Sequence, residues 1–169
     1  MFNSINLVAN KIKNIINIFL LCLLGLIIII MVILILWQVF TRFVLKIPAT
    51  FTDETVRFLM IWTCLLGSSL AFGYKKHINV TILVDRMPSF IKDITQILFY
   101  FVVMIISIFI LIIGGIKIMN IAMIQKASVT QIPMGYVYSV IPISGVFTLL
   151  YVIFDIIEFI SKKVGNKDV

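Results

Sequence analysis

The single histidine of the chain, His77, is the first residue to consider for acid–base chemistry. It follows Lys75 and Lys76, which end an apolar run that begins at Phe58. A catalytic base needs partner side chains that orient it, and the neighbouring sequence offers no such set. One histidine also cannot build a metal cluster. We interpret His77 as a polar residue at the end of a membrane span, and we expect the chain to be no enzyme and to carry no cofactor of its own.

The seven acidic residues are the next candidates, because they would carry the chemistry of ion-coupled transport. A carrier that uses a proton or sodium gradient alone usually buries an acid near the middle of the bilayer. Here every acid lies in a loop or at the end of an apolar segment, including Asp53, Glu54, Asp85 and Asp155. The two cysteines lie inside apolar runs, where they suit the role of small hydrophobic side chains. The sequence therefore indicates neither a self-sufficient ion pump nor a thiol enzyme.

The composition shows what must position these residues. Hydrophobic residues make up 62% of the 169 residues and charged residues only 12%, whereas soluble domains have about half and about a quarter. The mean hydropathy is +1.21. Since a helix needs roughly 20 apolar residues to cross a bilayer, four spans would use most of the length. The sequence predicts an all-α integral membrane protein with one membrane domain over residues 1–169.

Four apolar segments and one amphipathic segment supply the elements. A stripe of apolar residues at steps of three or four, beginning at Phe2, predicts a short helix that lies in the membrane interface. The alternative is that this segment is the extended start of the first span. The predicted interfacial helix covers about 2–14, and the predicted transmembrane helices cover about 16–40, 56–74, 91–117 and 134–159.

The distribution of positive charge predicts the orientation. The N-terminus, the second loop and the C-terminus together hold nine of the 14 Lys and Arg residues, and the other side holds five. Cytoplasmic loops favour Lys and Arg, so we expect both termini in the cytoplasm. The net charge of +7 is explained in the same way. Nucleic acid is not an expected partner, because no basic patch with interleaved aromatic residues occurs.

The first loop and the second span contain the most informative polar residues. Asp53 and Glu54 fall in the first turn of the predicted helix, where negative charge suits the helix dipole. Asp53 and Arg57 are spaced for a helical ion pair. Further along, a group of small residues would allow another helix to approach closely. This group consists of Gly67, Ser68 and Ala71.

The order of residues across this region resembles the small (Q-type) membrane subunit of TRAP transporters, the tripartite ATP-independent periplasmic uptake systems. The matching elements are an Arg after span 1, two adjacent acids, an Ile-Trp and a Leu-Gly pair in span 2, a His-Ile pair, an Asp and a proline stop. In this chain they are Arg42, Asp53–Glu54, Ile61–Trp62, Leu66–Gly67, Ala71, His77–Ile78, Asp85 and Met87–Pro88. The length and the four predicted spans also match.

The resemblance implies a place in a larger machine. A large multi-span subunit would hold the substrate and sodium sites and move like an elevator, and a periplasmic protein would deliver an organic acid such as sialic acid or a dicarboxylate. The small subunit would support and anchor the large one in the lipid of the bacterial inner membrane, and we expect the matching residues to form its interface. Two alternatives remain: a membrane adaptor or assembly protein without a role in transport, and a small carrier that assembles with itself.

Overall fold

The computed structural model describes residues 2–47, 49–74 and 89–165, and the surroundings of side chains for residues 10–47, 49–74 and 94–159. Helices dominate these ranges, and no strand occurs within them. Four helical segments are long and apolar enough to cross a membrane. The predicted all-α fold with four spans is confirmed. The spans are Asn10–Leu45, Thr50–Gly73, Ile94–Ala122 and Met134–Phe159, numbered 1 to 4 below.

Span 1 belongs to one long helix. Helix α1 runs from Phe2 to Phe40 and continues as a π-helical segment, Thr41–Leu45. The separate interfacial helix predicted for residues 2–14 is therefore helical, but no boundary divides it from span 1. The physical reason is local, because neither glycine nor proline interrupts the sequence before Gly25. Residues 2–14 simply extend the apolar helix that follows them.

Spans 2 and 3 are both longer than their apolar sequences suggested. Helix α2, Thr50–Gly73, begins six residues before its predicted apolar span at 56, where the sequence placed the first turn of the helix. It includes the polar turn with Asp53, which suits the positive end of a helix dipole. Span 3 combines α3 (Ser89–Ile105), a π-helical segment (Ile106–Gly114) and α4 (Gly115–Ala122).

Span 4 is interrupted at Ser139, shortly before Pro142. A short helix α5, Met134–Tyr138, is followed by a turn at Ser139 and by α6, Val140–Gly165. Pro142 thus lies in the first turn of α6, where the missing backbone N–H costs least. The interruption of regular helix at Ser139 lies three residues before Pro142.

Span 4 is the centre of the bundle, and it packs against each of the other three spans. In the most apolar part of span 4, 39% of the residues are buried, against 17% in each of the other spans. Two apolar clusters form the core, one between spans 1, 2 and 4 and one between spans 3 and 4. Their buried members are Leu20, Leu24, Leu66, Val140 and Tyr151, and Tyr100, Val103 and Val152.

Close backbone approach fixes spans 3 and 4 to each other. A Cβ atom at Gly115 would lie 2.9 Å from Pro142 Cδ, and one at Gly145 would lie 2.7 Å from Leu111 Cβ. Beside them, the Ser107 hydroxyl donates a 2.7 Å hydrogen bond to the carbonyl oxygen of Gly145. Small residues therefore allow these two spans to approach closely, as membrane helices commonly do.

Candidate functional site: an open face of the second span

One face of α2 points away from the rest of the bundle. Helical residues advance by about 100° each, which places the predicted small-residue group on the side opposite the buried Leu66. Met60 and Cys64 continue the same face, and both are exposed. We call this surface the open face. Its residues are Arg57, Met60, Cys64, Gly67 and Ala71. Asp53 borders it on the side of span 1, and Ser68 borders it on the side of spans 3 and 4.

Gly67 marks the middle of the open face. A Cβ atom built on Gly67 would meet no atom within 4 Å. Ser68 beside it is exposed, and Ala71 is half-buried. The tight packing predicted for these small residues is thus not made within the described part of the chain. As far as the described residues show, the space in front of Gly67 is unfilled.

The opposite face of α2 packs inside the bundle. Ser69 donates a 3.0 Å hydrogen bond to the carbonyl oxygen of Ser144, and its oxygen lies 3.1 Å from Thr148 Oγ1. Gly73 is buried, and a Cβ atom there would lie 2.6 Å from Asn17 Oδ1. The predicted interface residue Trp62 is half-buried against the core cluster. Its indole therefore contributes to the fold of this chain.

The adjacent acids of the first loop have separate partners. Asp53 accepts hydrogen bonds from Arg57 and from the Gln38 side chain, so the predicted helical ion pair is confirmed. Glu54 turns the other way and accepts the backbone N–H of Thr130 at 2.6 Å and that of Val129 at 3.2 Å. One acid thus links span 2 to span 1, and the other links it to the loop between spans 3 and 4.

Arg42 lies with Lys46 in a cleft between the ends of spans 1 and 2. The cleft has a volume of about 450 Å³ and is lined by polar and charged side chains together with Ala49. Both cationic side chains are exposed, and the Arg42 guanidinium lies 5.9 Å from the centre of the Phe43 ring. The sequence predicted Arg42 as a motif residue, but it did not predict the cleft. The other lining residues are Gln38, Thr50 and Asp53.

A buried polar cluster that the sequence did not predict lies at the other end of the bundle. Lys13 Nζ forms a 2.7 Å ion pair with Asp155 Oδ1, and the two side chains are only 9% and 8% exposed. One helical turn away, the Tyr151 hydroxyl donates a 2.7 Å hydrogen bond to Asn17 Oδ1. These contacts join span 1 to span 4. The spacing of four between Lys13 and Asn17, matched by that of Tyr151 and Asp155, is the one sequence signal that could have indicated them.

Two predicted motif residues, His77 and Asp85, lie outside the described residues. Their roles therefore stay predictions.

Comparison with known proteins assigns the family. Residues 31–162 match the family model described as "Tripartite ATP-independent periplasmic transporters, DctQ component". The chain belongs to the DctQ family. The resemblance seen in the sequence is thereby confirmed, and the chain is a small permease component of a TRAP transporter. The matched range contains the open face, the Arg42 cleft and both motif residues outside the described structure, whereas Lys13 and Asn17 precede it.

Two relatives of this DctQ chain support the same assignment. It is 35% identical over 52 residues to the sialic acid TRAP transporter small permease protein SiaQ of Vibrio cholerae, an alignment over 31% of this chain and 30% of that protein. It is 30% identical over 113 residues to a protein of Haemophilus influenzae provisionally named a TRAP transporter small permease protein. That alignment covers 64% of this chain and 67% of the relative. The chain thus matches less than a third of the length of the Vibrio protein.

Proposed function

We propose that this DctQ chain is the small subunit of a sodium-coupled uptake system for organic acids, such as sialic acid or dicarboxylates. In this proposal it supports and anchors a large elevator-type transport subunit, which holds the sodium and substrate sites. A periplasmic binding protein delivers the substrate. The chain lies in the bacterial inner membrane with both termini in the cytoplasm, in agreement with the nine-to-five distribution of Lys and Arg.

The observation that carries this proposal is the open face of α2. Small residues on membrane helices allow close approach of a second helix, and Gly67 leaves its space unfilled within the described chain. A large apolar subunit is the partner that fits such a face at the depth of a membrane span. Membership of the DctQ family, which is one component of a tripartite transporter, supports the same proposal.

The charged end of the open face suits a second contact. Asp53 and Arg57 are partly exposed and hold each other in place, while Glu54 fixes the neighbouring loop. These three residues therefore form an ordered polar surface at the membrane boundary. We propose that it forms part of the surface on which the periplasmic protein docks.

A substitution at Gly67 tests the contact with the large subunit. Gly67→Leu fills the space of a partner helix but meets no atom of this chain within 4 Å of its Cβ. We expect the variant to fold with unchanged thermal stability and to co-purify several-fold less of the large subunit. Gly25→Leu is the matched control, since Gly25 in span 1 also has open space. Undiminished co-purification with full uptake by Gly67→Leu would refute the proposed contact.

Reconstitution tests the function as a whole. The chain, the co-purified large subunit and the periplasmic protein are placed in vesicles, and uptake of labelled sialic acid or a dicarboxylate is measured with and without a sodium gradient. We expect uptake to require all three components and sodium. Uptake by this chain alone would indicate a self-assembling carrier. Co-purification with a protein that has no transport activity would indicate an adaptor or assembly factor.

A further inference from the structure

The cleft beside Arg42 has properties that the proposed support of a large subunit does not use. It lies where span 1 ends and span 2 begins, and it contains two cations but only one acid. The carboxylate of Asp53 is already bound by Arg57 and Gln38. Within the described residues, neither Arg42 nor Lys46 forms an ion pair. The cleft therefore has an excess of positive charge with no counter-ion from the described chain.

The backbone holds both cations on the same side. Arg42 and Lys46 are four residues apart, and the π-helical segment Thr41–Leu45 ends the helix between them. Both side chains line the same cleft, although Lys46 lies just beyond the π-helical segment. Lys46 itself has a left-handed backbone conformation with φ of 55°, and its N–H bonds to the carbonyl oxygen of Thr41. Left-handed conformations are costly for residues other than glycine and often occur at functional sites.

The second wall of the cleft is the start of α2. The residue before this helix is Ala49, which has no side chain that could cap the free N–H groups of the first turn. These groups and the positive end of the helix dipole attract anions. The cleft thus combines a guanidinium, an ammonium and a helix N-terminus, which together suit the oxygens of a phosphate.

The surroundings indicate which phosphate would bind. Phe43, Val44 and Ile47 flank the two cations and are 72%, 61% and 64% exposed. An exposed apolar patch beside a charged cleft suits a lipid, because the acyl chains of the lipid would cover the patch. A headgroup at the boundary of two membrane spans would place its phosphate at the level of the cations and its chains along span 1. We propose that the cleft formed by Arg42, Lys46 and the N-terminus of α2 binds the phosphodiester group of a membrane phospholipid.

The proposal is tested by counting lipids bound to the full chain. Protein purified in a neutral detergent is stripped of lipid, and native mass spectrometry follows binding of phosphatidylglycerol, phosphatidylethanolamine and diacylglycerol. We expect each of the two phospholipids to bind at one site more tightly than diacylglycerol, which lacks the phosphate. Arg42→Gln with Lys46→Gln should weaken that binding by about tenfold, as expected for the loss of charge-assisted hydrogen bonds.

Two further variants control for charge and folding. Lys117→Gln with Lys126→Gln removes the same charge from two exposed cations away from the cleft and should leave lipid binding unchanged. Arg42→Lys with Lys46→Arg keeps the charges and should retain most of the binding. Each variant is also checked by its thermal unfolding.

Competition distinguishes the sources of phosphate. Millimolar inorganic phosphate should not displace the lipid, because it lacks the acyl chains that cover Phe43 and Ile47. Displacement by inorganic phosphate would overturn the lipid assignment and indicate a site for free anions. Equal lipid binding by the folded Gln variant and the wild type would overturn the proposal altogether. The proposal would also be overturned if the Gln variant bound lipid normally but lost a protein partner, since the cations would then serve a protein contact.

Discussion

Removal of one charge from the buried Lys13–Asp155 pair should destabilise the protein strongly. The side chains are 9% and 8% exposed and 2.7 Å apart. At that distance the attraction is about 6 kcal/mol with an effective dielectric constant of about 20. Desolvation of the two ions offsets much of this energy, so the pair itself adds little net stability. Loss of Asp155 is different, because the Lys13 ammonium then stays buried without its ionic partner.

Asp155→Asn is the sharpest form of this perturbation, since asparagine keeps the shape of the side chain. We expect it to lower the free energy of unfolding by about 3–5 kcal/mol. Lys13→Met removes the other charge and completes the set of single variants. The double variant Lys13→Met with Asp155→Leu removes both charges and should recover most of the loss. The difference between the double variant and the sum of the single variants gives the coupling energy.

The assay is reversible unfolding in mixed micelles, followed by tryptophan fluorescence. The exposed ion pair of the same chain is the control, because Arg57 and Asp53 side chains are 73% and 43% exposed. Asp53→Asn should change the stability by less than about 1 kcal/mol. The reasoning is refuted if Asp155→Asn is as stable as the wild type. It is also refuted if the double variant is as unstable as the sum of the single variants.

Two other predictions concern packing and the loop between spans 3 and 4. Gly73→Ala places a Cβ atom 2.7 Å from the Tyr151 ring, so it should lower the melting temperature, whereas Gly67→Ala should leave it unchanged or raise it slightly. A thermal scan of the two variants side by side checks this, and equal melting temperatures would contradict it. Glu54→Ala removes the acceptor that holds the loop, so trypsin should cleave after Lys126 faster than in the wild type. The control variant Asp53→Ala should leave the cleavage rate unchanged. If Glu54→Ala is cleaved at the same rate as the wild type, the carboxylate does not hold the loop.

The number and type of the elements could be predicted because they depend on local sequence. Twenty or so apolar residues in succession suffice to indicate a span, and all four segments satisfy this rule. A helix continues past its apolar part when nothing stops it. Thus α2 begins at Thr50 and includes the polar turn predicted at its start, and α1 runs from Phe2 into span 1 without a boundary.

The contacts between distant residues could not be predicted in the same way. Lys13 and Asp155 are separated by 142 positions, and each alone is typical of a charge at the end of a span. Only the packing of span 1 against span 4 turns them into a buried pair. The π-helical segment that ends span 1 beside Arg42 and Lys46 likewise has no signature in the hydropathy of the sequence.

The two glycines of α2 show where sequence and structure complement each other. By residue type, Gly67 and Gly73 both indicate close helix packing. In the structure, Gly73 has neighbours at 2.6 Å and 2.7 Å from its missing Cβ, while Gly67 has none within 4 Å. Gly73 therefore serves the fold of this chain, and its substitution should change stability. Gly67 leaves space that the described chain does not fill, so its substitution should change association with a partner and not stability, and the two effects can be measured separately in one helix.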